Sequence, residues 1–195
     1  MFHSRFFNWA IVGCRCFALY GRRLIPWLGP TRTKTHVAML ASANEGNTVM
    51  PLQRQQILLA ALSLAGGKPL TPVQLQKALF LADDKIGDAF DPSSKYHFQP
   101  YDYGPFDKTV YTDAQLLTAG GLAEIGKDAK GGWNTYAPTA DGVRQGQEYL
   151  SQLQPEQREM LQRILSLVTR LSFTELVSAI YKAYPPMRVN SVFRD

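Results

Sequence analysis

Leu75-Gln76-Lys77-Ala78-Leu79-Phe80-Leu81, then Tyr101-Asp102-Tyr103-Gly104-Pro105-Phe106, then Val110-Tyr111 and a closing Gly120-Gly121-Leu122 form the stretch whose reading decides the fold. It reads as an apolar helix that runs into an aromatic loop, a second helix and a glycine-terminated hydrophobic pair. It holds no nucleophile and no ligand cluster, so it favours packing and recognition over turnover of a substrate.

Upstream of it, Arg54 to Ala65 places Ile57, Leu58, Ala61, Leu62 and Ala65 at helical spacing, and Gly66-Gly67 supplies a left-handed cap. Thr71-Pro72-Val73-Gln74 combines a capping hydroxyl, a proline at the first helical position and a glutamine three residues on, a capping box. The helix it opens runs to about Ile86. Leu75, Ala78, Leu79, Ala82 and Ile86 make one stripe, which Phe80 and Leu81 widen, so this helix is expected to be central and buried over more than half its circumference. Lys77 is then expected on its polar edge, solvated.

Downstream, a polar link from Asp88 to Lys95 precedes Tyr96-His97-Phe98-Gln99, whose alternation predicts a short strand before Pro100. A third helix is expected from Pro105 or Asp107 to Gly120-Gly121. Leu122 to Ile125 and Trp133 to Ala137 read as a hairpin around a turn at Lys127 to Gly132. Thr139 caps a helix through Leu150, a further helix follows Pro155, and Ser172-Phe173-Thr174-Glu175 is a second capping box before a last helix that Pro185-Pro186 halts. The tail beyond Pro186 is expected to be loosely held.

Helix, helix, helix, hairpin, helix is the order of a winged helix-turn-helix. The expected class is therefore mainly α (α+β), a winged helix-turn-helix-like core with a small β-hairpin and extra C-terminal helices. In DNA-binding members the helix before the hairpin offers arginine, lysine, asparagine or glutamine to base edges. Here it offers Lys108 and Gln115, with Asp107 and Asp113 set against phosphate, and the wing has Lys127 and Lys130 with Asp128 between them.

Charge along the chain argues the same way. Of the 195 residues 45% are hydrophobic and the formal charge is +5, but residues 1 to 44 hold six basic residues and no acid. The rest has 15 basic and 16 acidic residues, net −1, which supplies no field for a polyanion. A DNA-binding transcriptional regulator is thus the alternative reading, and nucleic acid the less favoured partner. Two domains follow: a basic leader over 1–49, expected to be disordered or an over-extended start with the true one at Met39 or Met50, and a single winged-helix-like domain over 50–195. A transit peptide is the other reading of the leader, whose apolar stretch from Phe6 to Cys14 is broken by Asn8 and too short to span a bilayer. The chain's two cysteines, Cys14 and Cys16, lie in it, an isolated pair too few for a zinc site. A body without cysteine fits a reducing cytoplasm, and no membrane association is expected.

The aromatic loop is stiff by composition. Pro100 and Pro105 restrict the backbone, Gly104 permits a turn, and Tyr101, Tyr103 and Phe106 bring large apolar area with little rotamer entropy to lose. Tyr103 and Phe106 are expected to plug the core and Tyr101 to stand outside, with Asp102 bonding nearby amides. Catalytic readings are poorly supplied. His97, the only histidine beyond the leader, has no evident partner, and Asp83, Asp84, Asp88 and Asp91 lack the register of a calcium loop and read as solvated acids. The glycine pairs lack the lysine and serine of a phosphate loop. No cofactor and no metal are expected.

The apolar helix, the Tyr101 to Phe106 loop, Val110-Tyr111, the Gly121-Leu122 turn and the segment from Ser172-Phe173 to Tyr184-Pro185 together resemble the YwgA-like family of uncharacterised bacterial proteins, over about residues 53 to 193. Residues 70 to 125 are more distantly similar to the Panacea (SocA-like) domain. That resemblance implies a non-enzymatic, antitoxin- or adaptor-like role with a protein partner, a toxin or a protease, in the bacterial cytoplasm. Ala78 departs from it where a larger apolar residue is preferred, and Tyr101 or Tyr103 where tryptophan is common. The partner-binding residues expected are Lys77, Tyr101, Asp102, Tyr103, Gly104, Pro105, Phe106, Lys108 and Tyr111.

Overall fold

The computed structural model describes residues 50–194; the expectations for the leader, including Cys14 and Cys16, lie outside the described residues. The described chain is mainly helical with two small antiparallel hairpins, the α+β class expected. Its elements run α1 (Arg54–Leu64), α2 (Pro72–Ile86), β1 (Gln99–Tyr101), β2 (Gly104–Phe106), α3 (Thr109–Ala119), β3 (Ala123–Lys127), β4 (Asn134–Pro138), α4 (Ala140–Gln152), α5 (Pro155–Arg170) and α6 (Phe173–Ala183).

Local chemistry sets the helix starts. The Thr71 and Ser172 hydroxyls accept the N–H groups of Gln74 and Glu175, whose side chains reach back to the capping residues' own N–H groups, and Thr139 accepts from Gly142. An unforeseen box, Gln53 with Gln56, opens α1. Helix α2 is buried from Leu75 through Ala82, as expected of a central helix, but it shares that position. Six consecutive residues of α1, Ile57 to Leu62, are fully buried, with α3, α4 and α5 packed around them. Helix α4 approaches α1 at Gly146, where an added Cβ would lie 2.7 Å from Ser63 Oγ and 2.9 Å from the Leu59 carbonyl oxygen.

Strands β3 and β4 pair in register from Ala123 opposite Pro138 to Lys127 opposite Asn134. Leu70 adds a third edge, exchanging both backbone hydrogen bonds with Tyr136 at 2.8 and 2.9 Å. The other hairpin, β1 and β2, was not expected: the strand lies at Gln99–Tyr101 rather than Tyr96–Gln99, and the aromatic loop is itself a hairpin, with Pro100 opposite Pro105 and Tyr101 opposite Gly104. Tyr96 and Phe98 are used as packing instead, Tyr96 buried and Phe98 edge-on to Phe80 at 5.5 Å. Helix α3 starts later than expected because Asp107 accepts the N–H of Thr109 at 2.8 Å and ends the preceding extended segment. The tail is not loose. Val192 donates its backbone N–H to the Asp102 carbonyl at 3.0 Å, and Asn190 Nδ2 donates to the Pro100 carbonyl at 3.0 Å. Among the described residues no helix is long and apolar enough to cross a membrane.

Candidate recognition site

Two prolines in a three-residue-paired hairpin are tolerated because they face each other. A proline cannot enter a hydrogen-bonded pair, so Pro100 and Pro105 occupy the non-bonded pair, where carbonyls point outward, away from the partner strand. Each outward carbonyl needs a donor from elsewhere. Asn190 supplies one for Pro100, and Lys77 Nζ supplies one for Pro105 at 3.1 Å. Gly104 closes the turn with φ +98°, and a Cβ there would also press on Tyr181 Cε1 at 3.3 Å and Lys77 Cε at 3.5 Å. Next along the chain, the Gln76 side chain pairs with Asp107 as a strand would: Nε2 donates to the Asp107 carbonyl at 2.9 Å and Oε1 accepts the Asp107 N–H at 3.0 Å. The Gln76-Lys77 dipeptide therefore clamps Pro105 to Asp107 onto α2.

This corrects the expectation for Lys77, which is 3% exposed rather than solvated. The hairpin lies over it, and burial lowers its ammonium from the ordinary 10.5 to about 7. Asp107 and Asp113 are likewise not surface acids opposing phosphate. Burial pushes the Asp107 carboxyl up, but the N–H groups of His97 and Thr109 outweigh that and leave it lowered. Asp113 is fully buried and accepts from Arg54 Nε at 2.6 Å and Gln55 Nε2 at 2.8 Å, tying α1 to α3. That bond is also the main reason the Arg54 guanidinium is raised.

The expected site residues divide by exposure. Tyr101, 52% exposed, and Lys108 stand outside as expected, and Asp102, Phe106 and Tyr111 are half-buried. Gly104 and Pro105 are buried and with Lys77 serve position, not contact. Neither expected ring plugs the core: Tyr103 is 40% exposed and meets Phe173, and the half-buried Phe106 stacks on the exposed Tyr101 instead of joining the core cluster. Two aromatic rows result. Tyr101 stacks on Phe106 at 4.9 Å, Phe106 meets Tyr111 edge-on at 5.7 Å, and Tyr111 stacks on Tyr136 at 5.8 Å. On the other side Tyr103 meets Phe173 edge-on at 5.2 Å, and Phe173 meets Phe193 at 6.0 Å.

Beside Tyr103 opens an apolar groove of about 670 Å³, walled by the first turns of α2 and α6 and by Trp133 from the turn between β3 and β4. Trp133 and Phe173, 49% and 46% exposed, were read in the sequence only as a strand start and a capping-box position. A large apolar residue at the first position of a capped helix, or right after a Gly-Gly turn, was the available signal. A smaller cleft of about 320 Å³ gathers Phe80, Asp83, Asp84 and the exposed His97. Tyr184 donates its hydroxyl to Asp84 at 2.5 Å, whereas the buried Asp83 Oδ1 has no hydrogen-bond partner among the described residues, Lys95 standing 3.9 Å away, and burial raises its carboxyl. Asp91 and Asp88 accept from Ser93 and Gln157, so three of the run's four acids are bonded rather than simply solvated. Among the described residues no group of three histidine, cysteine or carboxylate side chains converges as a metal ion would need.

Compared with models of known protein families the chain matches none, and comparison with curated proteins gives no match either.

Proposed function

We propose that this protein is a non-enzymatic protein-binding module, antitoxin- or adaptor-like, that works in the cytoplasm and recognises a partner protein through the Tyr101 to Phe106 hairpin. One observation carries the reading: a hairpin tip with two exposed tyrosines is fixed to α2 by Gln76 and Lys77 and to the tail by Asn190 and Val192. Exposed aromatics on a backbone that loses little freedom on binding are what recognition surfaces use. The distant resemblance of residues 70 to 125 to Panacea domains points to the same role. The exposed side of α3, with Lys108, Thr112, Gln115 and Leu116, has one cation to offer and lends a DNA reading little support.

The test uses immobilised full chain and a Tyr101→Ala/Asp102→Ala variant as parallel baits, with captured proteins identified by mass spectrometry and the complex rebuilt from purified components. The expected result is a stoichiometric partner held by the parent and lost by the variant at nearly unchanged melting temperature. Identical capture by both baits overturns the reading.

A further inference from the structure

Resting on the protein-binding reading, we infer that the outer edge of β1 docks an extended segment of the partner protein, and that the chain's own tail, Asn190 to Phe193, is the stand-in which that segment displaces. The register of the hairpin defines the edge. With Pro100 opposite Pro105 in the non-bonded pair, the Pro100 carbonyl points away from β2. Two residues on, the Asp102 carbonyl is turned to the same side, for both accept from the tail: Pro100 from Asn190 Nδ2 at 3.0 Å and Asp102 from the Val192 N–H at 3.0 Å. Acceptors two residues apart that meet donors two residues apart, in the same chain direction, have the spacing of a parallel ladder. A strand edge of this kind is a template for another chain, and adding a strand to it is a recurring mode of peptide recognition. The edge adjoins the exposed Tyr101 and Tyr103, so docking there continues the recognition surface of the hairpin tip.

The tail fills this edge incompletely. Of the tail's backbone N–H groups, that of Val192 alone reaches the edge among the described residues. At Pro100 a side-chain amide stands in for the backbone donor, because Asn190 still belongs to the turn in which Ser191 donates to the Arg188 carbonyl at 3.0 Å. Val189 and Val192 are 78% and 55% exposed, so the segment buries little apolar surface of its own. Two residues anchor it. The Ser191 hydroxyl accepts from Tyr181 Oη at 2.7 Å and donates to the Asp102 carbonyl at 3.3 Å. The Phe193 ring lies 6.0 Å from that of Phe173 and 6.4 Å from that of Tyr181.

The tail thus shows what chemistry the edge accepts and leaves room for a better occupant. A fully extended segment brings a backbone N–H to both carbonyls, a small hydroxyl residue between them to Tyr181, and an aromatic residue after the second to the place of Phe193. Exchange keeps the tip in shape, since the incoming segment supplies the donors that the tail withdraws. Being tethered, the tail competes at an effective concentration on the order of millimolar, so it screens the edge against weak segments and yields to a strong one.

The probe is a synthetic peptide with the sequence of residues 188–194, Arg-Val-Asn-Ser-Val-Phe-Arg. It is titrated to about 2 mM, the range of the tail's own effective concentration, into isotope-labelled full chain and followed by amide chemical shifts. The same titration uses full-chain Asn190→Ala/Val192→Pro/Phe193→Ala, which withdraws the tail's amide, backbone donor and ring, and Asn190→Ala/Phe193→Ala, which serves should the proline disturb folding; circular dichroism checks both. The expected result is binding to the released variants at least about tenfold tighter than to the parent, with shifts centred on residues 99–106. A control peptide carrying Val192→Pro should not bind. No binding to either released variant, equal binding by parent and variants, or equal binding of the control peptide overturns the inference. A partner captured in the paired-bait assay without peptide binding removes the edge and leaves the protein-binding reading. Peptide binding with identical capture by both baits keeps the edge as a peptide site and removes that reading.

Discussion

Replacing Lys77 by methionine should stabilise the protein at neutral pH and lose that advantage as the solution becomes alkaline. In the folded chain burial lowers the ammonium from 10.5 to about 7, whereas the unfolded chain keeps the ordinary value. Between those two values the unfolded state binds more protons than the folded one, so stability must rise with pH across the window from about 7 to about 10.5. Below about 7 the ammonium is charged in both states and its burial costs the full ~4–5 kcal/mol, at about 1.36 kcal/mol per pH unit of difference. Roughly 2 kcal/mol of that cost disappears between about pH 7 and pH 9. Methionine has a similar stem and no charge, but it leaves the Pro105 carbonyl without its donor, a loss of about 1–3 kcal/mol. The variant should therefore exceed the parent by about 2 kcal/mol near pH 7 and fall level with it near pH 9. Urea denaturation followed by far-ultraviolet circular dichroism, run on both proteins at several pH values, reads the difference directly and cancels the titration of every other group. A difference that stays constant to within about 0.5 kcal/mol from pH 6 to pH 9 would refute the argument.

Asp113→Ala should cost about 2 kcal/mol in the same denaturation assay, below the 3–5 of a fully buried broken pair, because Arg54 is 29% exposed and can turn to water; no measurable loss would mean the pair does not tie α1 to α3. Gly146→Ala should cost roughly 1–2 kcal/mol despite alanine's better helix propensity, since the Leu59 carbonyl cannot yield, and a stabilised variant would contradict the close approach of α4 to α1. A generic DNA duplex should not bind the described domain even at about 50 mM salt, and a steep salt-dependent affinity in a filter or anisotropy titration would revive the DNA reading.

Three helix starts were legible in the sequence because each depends on residues within one turn: Thr71 with Gln74, Thr139 with Gly142, Ser172 with Glu175. The β3–β4 hairpin was legible for a similar reason, its turn being written in Lys127 to Gly132. The aromatic hairpin was not, since two prolines argue against strands unless they fall opposite each other, and register is a property of two segments at once. Lys77 was misplaced because a lysine's surroundings are decided by what covers it. Even so, Val73, Phe80 and Leu81 lie one turn away on the same side of α2 and already made that side apolar. Trp133 and Phe173 reach one groove because β4 and α6 both pack on α2, which periodicity within either segment does not contain.

Two unfavourable features meet beneath the hairpin tip, whose turn Gly104 closes at φ +98°: paired prolines with outward carbonyls, and a lysine whose charge burial opposes. A connection between α2 and α3 needs neither of them; an ordinary turn would join the helices at lower cost. Each feature is instead compensated by a group from a distant element, Lys77 and Gln76 from α2 and Asn190 and Val192 from the tail, so the tip keeps its shape only when the whole domain is assembled. Outward carbonyls and a buried charge maintained in this way fix a geometry rather than add stability. The geometry fixed is the one that turns Tyr101 to one side and Tyr103 to the other, with the apolar groove beginning at Tyr103. A partner that engaged Tyr103 and Trp133 together would therefore meet a surface already set, and substitutions at Gln76 or Lys77 should weaken its capture without touching it.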